Sequence, residues 1–401
     1  MTLQLPIYLD HHATTPVDPR VLDAMLPYFR KDFGNPSSAG HVFGWRAEAA
    51  VEDARERLAA AIGAAESREI VFTSGTTESD NLALKGVARV HRKRRDHLVT
   101  TRIEHHAVLD SCRALEREGF SVTYLPVDGN GLVDPDAVSE AIGERTALVS
   151  VMAANGEIGV LEPLAEIGRI CRERGVLFHT DAAQAVGKIP IDVDALGVDL
   201  LSMCAHKLYG PKGVGALYVR SRRPRIRLEP LVHGGGHERG WRSGTPPVPL
   251  LVGFAKAVDL CLEDLDSEAA RISELRQRLW SRISSELDDV HVNGHPKRRI
   301  PGNLNVSFGG VESTQLLLGL TDVALSTGSA CSSAAPEPSH VLTALGLPDA
   351  RIRGAVRFGL GRSNTREEID WVAAQLIGWV RDTREKRAAG AGRPPHRPSR
   401  E

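Results

Sequence analysis

Along the chain, the spacing of apolar positions alternates between two patterns. Short, nearly continuous apolar runs occur at EIVFT (69–73), HLVTT (97–101), VTYLPV (122–127), ALVSVMAA (147–154), VLFHTDAA (176–183), VDLLSMCA (198–205) and GALYV (215–219). Between several of them lie stretches with apolar residues at helical spacing, among them ESDNLALKGVARVHRKR, HAVLDSCRALEREG and PLAEIGRICRERG. Strands alternating with helices predict an α/β fold with a mainly parallel sheet covered on both faces. After Arg242, prolines precede a helical pattern running from SGTPPVPLLVGFAKAVDLCLEDL to about Leu287, and a change of domain is expected inside it, near residue 265. NLNVSF, VALSTGSAC, AVRFGLG and TREEIDWVAAQLIGWV then mix strands and helices, as in a smaller α+β domain. The Arg-, Pro-, Gly- and Ala-rich end, 382–401, is expected to be a disordered tail.

Composition narrows the function classes. A net charge of -1 over 401 residues gives no reason to expect direct nucleic-acid or membrane-surface binding, and no apolar run reaches membrane-spanning length. The opening, MTLQLPIYLDHHATTP, has no basic region followed by an apolar run and a cleavage site, so a cytoplasmic location is expected. The five cysteines (Cys112, Cys171, Cys204, Cys261 and Cys331) are scattered and form no CxxC pair, which suits reduced thiols rather than a disulfide framework or zinc site. His11–His12 and His233/His237 invite a metal reading. The glycines of HGGGHERG argue against one helix face there, and no metal is expected.

Four segments carry candidate chemistry. In SMCAHKLYGPKGVGALYV, Lys207 follows an apolar strand directly; a partly desolvated lysine keeps its amine free to attack an aldehyde, as a Schiff-base lysine must. In VLFHTDAAQAVGK, Asp181 ends a strand, where open α/β sheets place ligands; it can pair a pyridinium nitrogen or simply cap a turn. In FTSGTTESDN, Gly75, Thr76 and Thr77 lie between strand and helix, a place that favours phosphate or an ordinary helix cap. In STGSACSSAAPEPSH, Cys331 is the one cysteine in a stretch of small polar residues, either a loop residue or an accessible nucleophile.

Together these motifs resemble the cysteine desulfurase family, the NifS/IscS-like branch of the class V aminotransferase group. The resemblance runs from YLDHHATTPVDPRV to RFGLGRSNTREEID through FGNPSSAGH, EHHAVLDSCR, GGGHERGWRSGTPPVPL and PSHVLTALG. It implies the fold type I of enzymes dependent on pyridoxal phosphate (PLP), with a seven-stranded, mainly parallel sheet in the large domain and a smaller α+β domain. We divide the chain into a segment 1–14 joining the small domain, a large PLP-binding domain 15–264, a small domain 265–381 carrying the catalytic cysteine loop, and the tail. The resemblance also implies a homodimer with active sites built from both chains. Free L-cysteine would be the substrate, and a persulfide would pass to an iron–sulfur scaffold or another thiol acceptor.

Carried over by position, Lys207 would bind PLP covalently, Asp181 the pyridine nitrogen and Gln184 the ring hydroxyl. His105 would stack on the ring and act as acid/base on the substrate thiol. Thr76, Thr77 and His206 would bind the phosphate, with Thr245 reaching it from the partner subunit. Arg357 would clamp the substrate carboxylate, and Cys331 would become the persulfide. Two positions depart from the family pattern. Cys204 stands where a phosphate-binding serine is usual, and Gly156 where the second of two asparagines is usual; Asn155 is its neighbour and inherits no role. The Arg/Pro-rich end does not resemble the scaffold-docking segment of the IscS type. An aminotransferase or selenocysteine lyase on the same fold, and a PLP-binding regulatory subunit without catalysis, are the competing readings.

Overall fold

The computed structural model describes residues 3–222, 225–327 and 338–391. Among the described residues there are twelve strands: β1 (Ile7–Tyr8), β2 (Ile70–Thr73), β3 (His97–Thr101), β4 (Ser121–Leu125), β5 (Thr146–Ser150), β6 (Leu177–Asp181), β7 (Leu200–Cys204), β8 (Gly215–Val219), β9 (Val290–Val292), β10 (Asn303–Phe308), β11 (Val323–Ala324) and β12 (Ala355–Gly359). The apolar runs become a seven-stranded sheet in the order β2-β8-β7-β6-β5-β3-β4. Every residue of β2, β5, β7 and β8 is buried, as expected for strands covered on both faces.

Strands β7, β6, β5, β3 and β4 run parallel, while β8 is antiparallel to both its neighbours. Chain length explains the exception. Only residues 205–214 separate β7 from β8, fewer than a parallel crossover needs, so the chain must turn straight back. Lys207 lies in that short return.

A second sheet, β12-β10-β9, is antiparallel, and β1 pairs with β11 in parallel. The buried apolar side chains fall into clusters. The largest joins the parallel sheet to helices Val42–Ala61 and Val248–Glu263, through residues such as Leu58, Phe178 and Phe254. Another gathers Ile7 and Leu9 with Leu279, Phe308, Phe358 and Val380. The N-terminal segment therefore packs against elements more than two hundred residues away.

Two expected elements differ. The helical pattern from Val248 to about Leu287 is two helices, Val248–Glu263 and Leu265–Glu286, broken at Asp264 (φ −120°, ψ 18°). The Asp264 carbonyl accepts from Glu268 N–H (2.8 Å) and the Ser267 hydroxyl (3.0 Å), which starts the second helix. Further on, helix Arg366–Ala391 continues well past residue 382. Arginine, lysine, glutamate and alanine are good helix formers. The extension is also tied down: Arg384 donates to the carbonyls of Gly309 (2.9 Å) and Asp288 (2.8 Å).

Candidate active site

Four neighbouring strands end on the same side of the sheet. After β7 comes Lys207, β6 ends in Asp181, β5 leads to Gly156, and β3 leads to Glu104 and His105. This is the edge at which parallel sheets gather ligand-binding groups. On the far side of β7, Cys204 and Thr73 are both register partners of Gly215. A Cβ on Gly215 would lie 2.6 Å from the Gly75 Cα and 2.7 Å from the Met203 carbonyl oxygen. Only glycine there lets the Gly75–Thr76 turn approach Cys204.

That turn opens helix Thr76–His91. The Thr76 hydroxyl is buried without a hydrogen-bond partner, beside the Cys204 thiol. Burial pushes the Cys204 thiol up, so it is neutral and a weak donor. Thr77 is exposed, and its carbonyl accepts from Asn81. A Cβ on Gly75 would meet nothing within 4 Å, so the turn has an open concave side.

The N-terminal segment straps the site together. Asp10 Oδ1 accepts from Arg357 Nη2 at 2.7 Å, and the His12 carbonyl accepts from Gln184 Nε2 at 2.8 Å. Thr15 N–H and its hydroxyl both donate to the His206 carbonyl (2.9 and 3.0 Å), while the Thr14 hydroxyl meets His206 Nδ1 at 3.2 Å. Burial, helped by the charge of Lys207, lowers His206 to about 4, so this ring is neutral. Tyr209 adopts φ 62°, an unfavourable backbone for a bulky residue. Thr15 Oγ1 accepts from its N–H (2.8 Å), the Arg362 N–H donates to its hydroxyl (2.6 Å), and the Arg362 guanidinium covers its ring at 4.3 Å. The strained turn thus holds Lys207 in one place.

Asp181 is buried, and one of its oxygens accepts from Ala183 N–H at 2.9 Å. His105 caps helix His106–Arg117, with Nδ1 accepting from Ala107 N–H at 3.1 Å. In the neutral ring this assigns the proton to Nε2. Burial lowers the His105 pKa, and Lys207 lowers it further against the opposing pull of Asp181. The neutral His105 ring therefore offers an N–H to the site. Arg357, in β12, donates to the Gly156 carbonyl at 3.0 Å as well as to Asp10, and its buried Nε has no partner.

Thr245 is exposed, three residues past Arg242, whose guanidinium pairs with Glu78 at 2.9 Å near the start of helix Thr76–His91. Cys331 lies outside the described residues. The chain on either side of it is anchored within the site. Ser326 bridges to Arg357, and His340 Nε2 meets the Glu104 carbonyl at 3.0 Å, next to His105. Asn155 serves structure: its Oδ1 accepts from Glu157 and Ile158 N–H (2.8 and 3.0 Å), and its Nδ2 donates to the Ile103 carbonyl (2.9 Å). His237 bonds Ser37 and Gly244, and among the described residues no cluster of His, Cys, Asp and Glu suits a metal.

A family profile for class-V aminotransferases matches residues 7–372. The chain belongs to the class-V aminotransferase family. Within it, a similar relative is the cysteine desulfurase IscS of Anaeromyxobacter dehalogenans (strain 2CP-C), 56% identical over 384 residues, covering 96% of this chain and 94% of that protein. Among solved structures, a NifS-like protein superposes with a TM-score of 0.88 at 38% identity, covering 94% of this chain and 100% of the other. SspA in complex with cysteine gives 0.78 at 40% identity, over 88% of this chain and 98% of the other. Class-V cysteine desulfurases use PLP, and this chain is such an enzyme.

The residues present fit that cofactor. The unpartnered Thr76 hydroxyl and open turn suit its phosphate, the buried Asp181 carboxylate its ring nitrogen, and Lys207 its aldehyde carbon. Three residues of this class-V site escaped sequence reasoning. Asp10 looked like part of a histidine-rich opening. Asp80, buried on helix Thr76–His91, has its pKa raised well above normal by burial and by Asp181. Lys188 is half-buried, with its amine on Gln184 Oε1 at 2.6 Å. Asp80 follows Thr76, and Lys188 follows Gln184, at i+4; an acid on a buried helix face was the one signal available for Asp80.

Proposed function

We propose that the enzyme takes sulfur from free L-cysteine, releasing L-alanine and leaving a persulfide on Cys331 that is passed to an acceptor thiol. The observation that carries this reading is the row Lys207, Asp181, Gly156 and His105 at and beyond the ends of neighbouring strands, with Arg357 joined to Gly156 at 3.0 Å. When bound, PLP supplies the electron sink that makes a proton on the substrate Cα removable.

The protein's own groups do the rest. Arg357 binds the cysteine carboxylate with the Nε and guanidinium edge not committed to Asp10, which fixes the direction of the Cα–H bond. Asp181 would keep the cofactor's ring nitrogen protonated. Lys207 Nζ would hold PLP through its aldehyde carbon and, as a free amine, would take the proton from Cα. His105 donates Nε2–H to the substrate sulfur and so orients it for attack. The Cys331 thiolate attacks that sulfur, the C–S bond breaks, and the carbon fragment is protonated to alanine. The outer sulfur then moves to an incoming thiolate and Cys331 is regenerated, a reaction like thiol–disulfide exchange.

The same reading extends to partners. We take the working unit to be a homodimer in which Thr245 reaches the partner's phosphate site, and the acceptor to be an iron–sulfur scaffold or another thiol protein. A reducing, cytoplasmic setting suits Cys112, Cys171, Cys204 and Cys261, which are all unpaired and buried. No helix among the described residues is long and apolar enough to cross a membrane.

The test is to incubate the holoenzyme with L-cysteine and a reducing thiol and to quantify alanine and sulfide. Equal amounts of both, without any keto acid, are expected. Alanine that forms only when a keto acid is added would overturn the proposal in favour of transamination.

A further inference from the structure

Gln184 owes its orientation to Lys188. Its Oε1 accepts from Lys188 Nζ at 2.6 Å, and its Nε2 donates to the His12 carbonyl at 2.8 Å. An amide's oxygen and nitrogen are distinguished only by their partners. Here the partners decide: a lysine amine meets the oxygen and a carbonyl meets the nitrogen. With Oε1 held by Lys188 and one N–H spent on His12, the group left over is the second N–H on Nε2.

Gly156 sharpens the dependence. A Cβ at that position would lie 3.0 Å from Gln184 Nε2 and 3.4 Å from its Cγ. With glycine there, no side chain from residue 156 steadies the amide, and Lys188 is left as the side chain that holds it. Lys188 is itself half-buried. It lines a cavity of about 40 Å³ with Lys207, His11, His12, Tyr209 and Cys261. Burial, with Lys207 and Arg357, lowers it to about 7, while Cys204 and Cys261 pull the other way. Charged or neutral, its nitrogen carries N–H bonds, so it donates to Gln184 in either state. The ring nitrogens of His11 and His12 have no hydrogen-bond partners and do not compete for it.

The geometry points to Lys188 as a positioning residue: it locks the Gln184 amide so that an N–H, not the carbonyl oxygen, faces the ring oxygen of the cofactor. The inference rests on reading Gln184 as the partner of that oxygen. A donor there stabilises the deprotonated ring oxygen. Its loss raises the pH at which the resting, cofactor-loaded enzyme releases its proton, and the visible absorption band reports that midpoint.

The experiment titrates the visible band of holoenzymes without substrate, for the wild type, Gln184→Leu, Lys188→Met, the double variant and Lys188→Arg. Gln184→Leu and Lys188→Met should each raise the midpoint by about one pH unit or more, the worth of a charge-assisted hydrogen bond. The double variant should match Gln184→Leu alone. Lys188→Arg, whose extra atoms the adjoining cavity can receive, should stay near the wild-type midpoint, and it stands in if the methionine variant does not fold. The proposal is overturned by an unmoved midpoint in Lys188→Met, by additive shifts in the double variant (a direct charge effect), or by a shift in Lys188→Arg as large as in Gln184→Leu. An unmoved midpoint in Gln184→Leu would instead refute the ring-oxygen reading of Gln184 itself.

Discussion

Ser326 and Arg357 hold each other's backbones: Arg357 N–H donates to the Ser326 carbonyl at 2.8 Å, and Ser326 N–H returns the bond at 3.4 Å. The chain that leads to Cys331 therefore departs from the residue proposed to hold the substrate carboxylate. Ser326, five residues before Cys331, is tied to Arg357 through two hydrogen bonds of main chain. Replacing Cys331 by alanine should abolish persulfide formation, read as a mass increase of one sulfur after reaction with cysteine. The visible cofactor band and cysteine binding should be unchanged. A missing band in this variant would make Cys331 a structural residue.

Arg357 is buried between Asp10 and Gly156, with Nε unpaired. Arg357→Ala removes a charge-assisted contact worth about 1.5–3 kcal/mol, so kcat/KM for cysteine should fall about 10- to 100-fold, mainly through KM. Asp10→Asn keeps the guanidinium but weakens its clamp and should cost less, in the same direction. Steady-state kinetics on both variants checks this. An unaltered KM in Arg357→Ala would remove Arg357 from the substrate site.

Cys204 presents a buried, neutral thiol where a hydroxyl would donate more strongly. Cys204→Ser should tighten PLP binding by about fivefold, the effect of about 1 kcal/mol in one hydrogen bond. Titrating the apoenzyme with PLP measures it. Weaker binding in the serine variant would mean that the pocket is built around sulfur.

Glu104 is fully buried behind His105, and burial raises its carboxyl to about 8, against the lowering effects of Met152 N–H and the Thr101 hydroxyl. The folded value lies above the ordinary 4.5. Between the two, the unfolded chain loses this proton and the folded chain keeps it. Its contribution is thus complete below pH 4.5 and drains away as pH rises towards 8, at about 1.4 kcal/mol per pH unit. Glu104→Gln carries no such penalty. Its melting temperature relative to wild type should climb between pH 5 and pH 8. A constant difference across that range would show that Glu104 is ionised in the fold.

Much of the site was readable because its signals are local. Lys207 stands out by following an apolar strand directly, and Asp181 by ending one; both depend on a few adjacent residues. Gln184, His105 and Arg357 were reached only through resemblance to the family, since each sits in an unremarkable local pattern. Asp10, Lys188 and Asp80 were missed for a related reason. Their meaning comes from a partner: Asp10 pairs with Arg357 across 347 positions, and Lys188 matters because the His12 carbonyl holds the other end of Gln184.

By itself the sequence determined the alternation of strands and helices, the identity of the lysine turn, and the class of chemistry. Periodicity and turn composition act over a few residues and are written in one stretch of chain. Strand order and the strap from Asp10 to Thr15 were decided only by the tertiary structure. They follow from which buried polar groups find partners across the fold, and no single stretch contains both halves of such a pair.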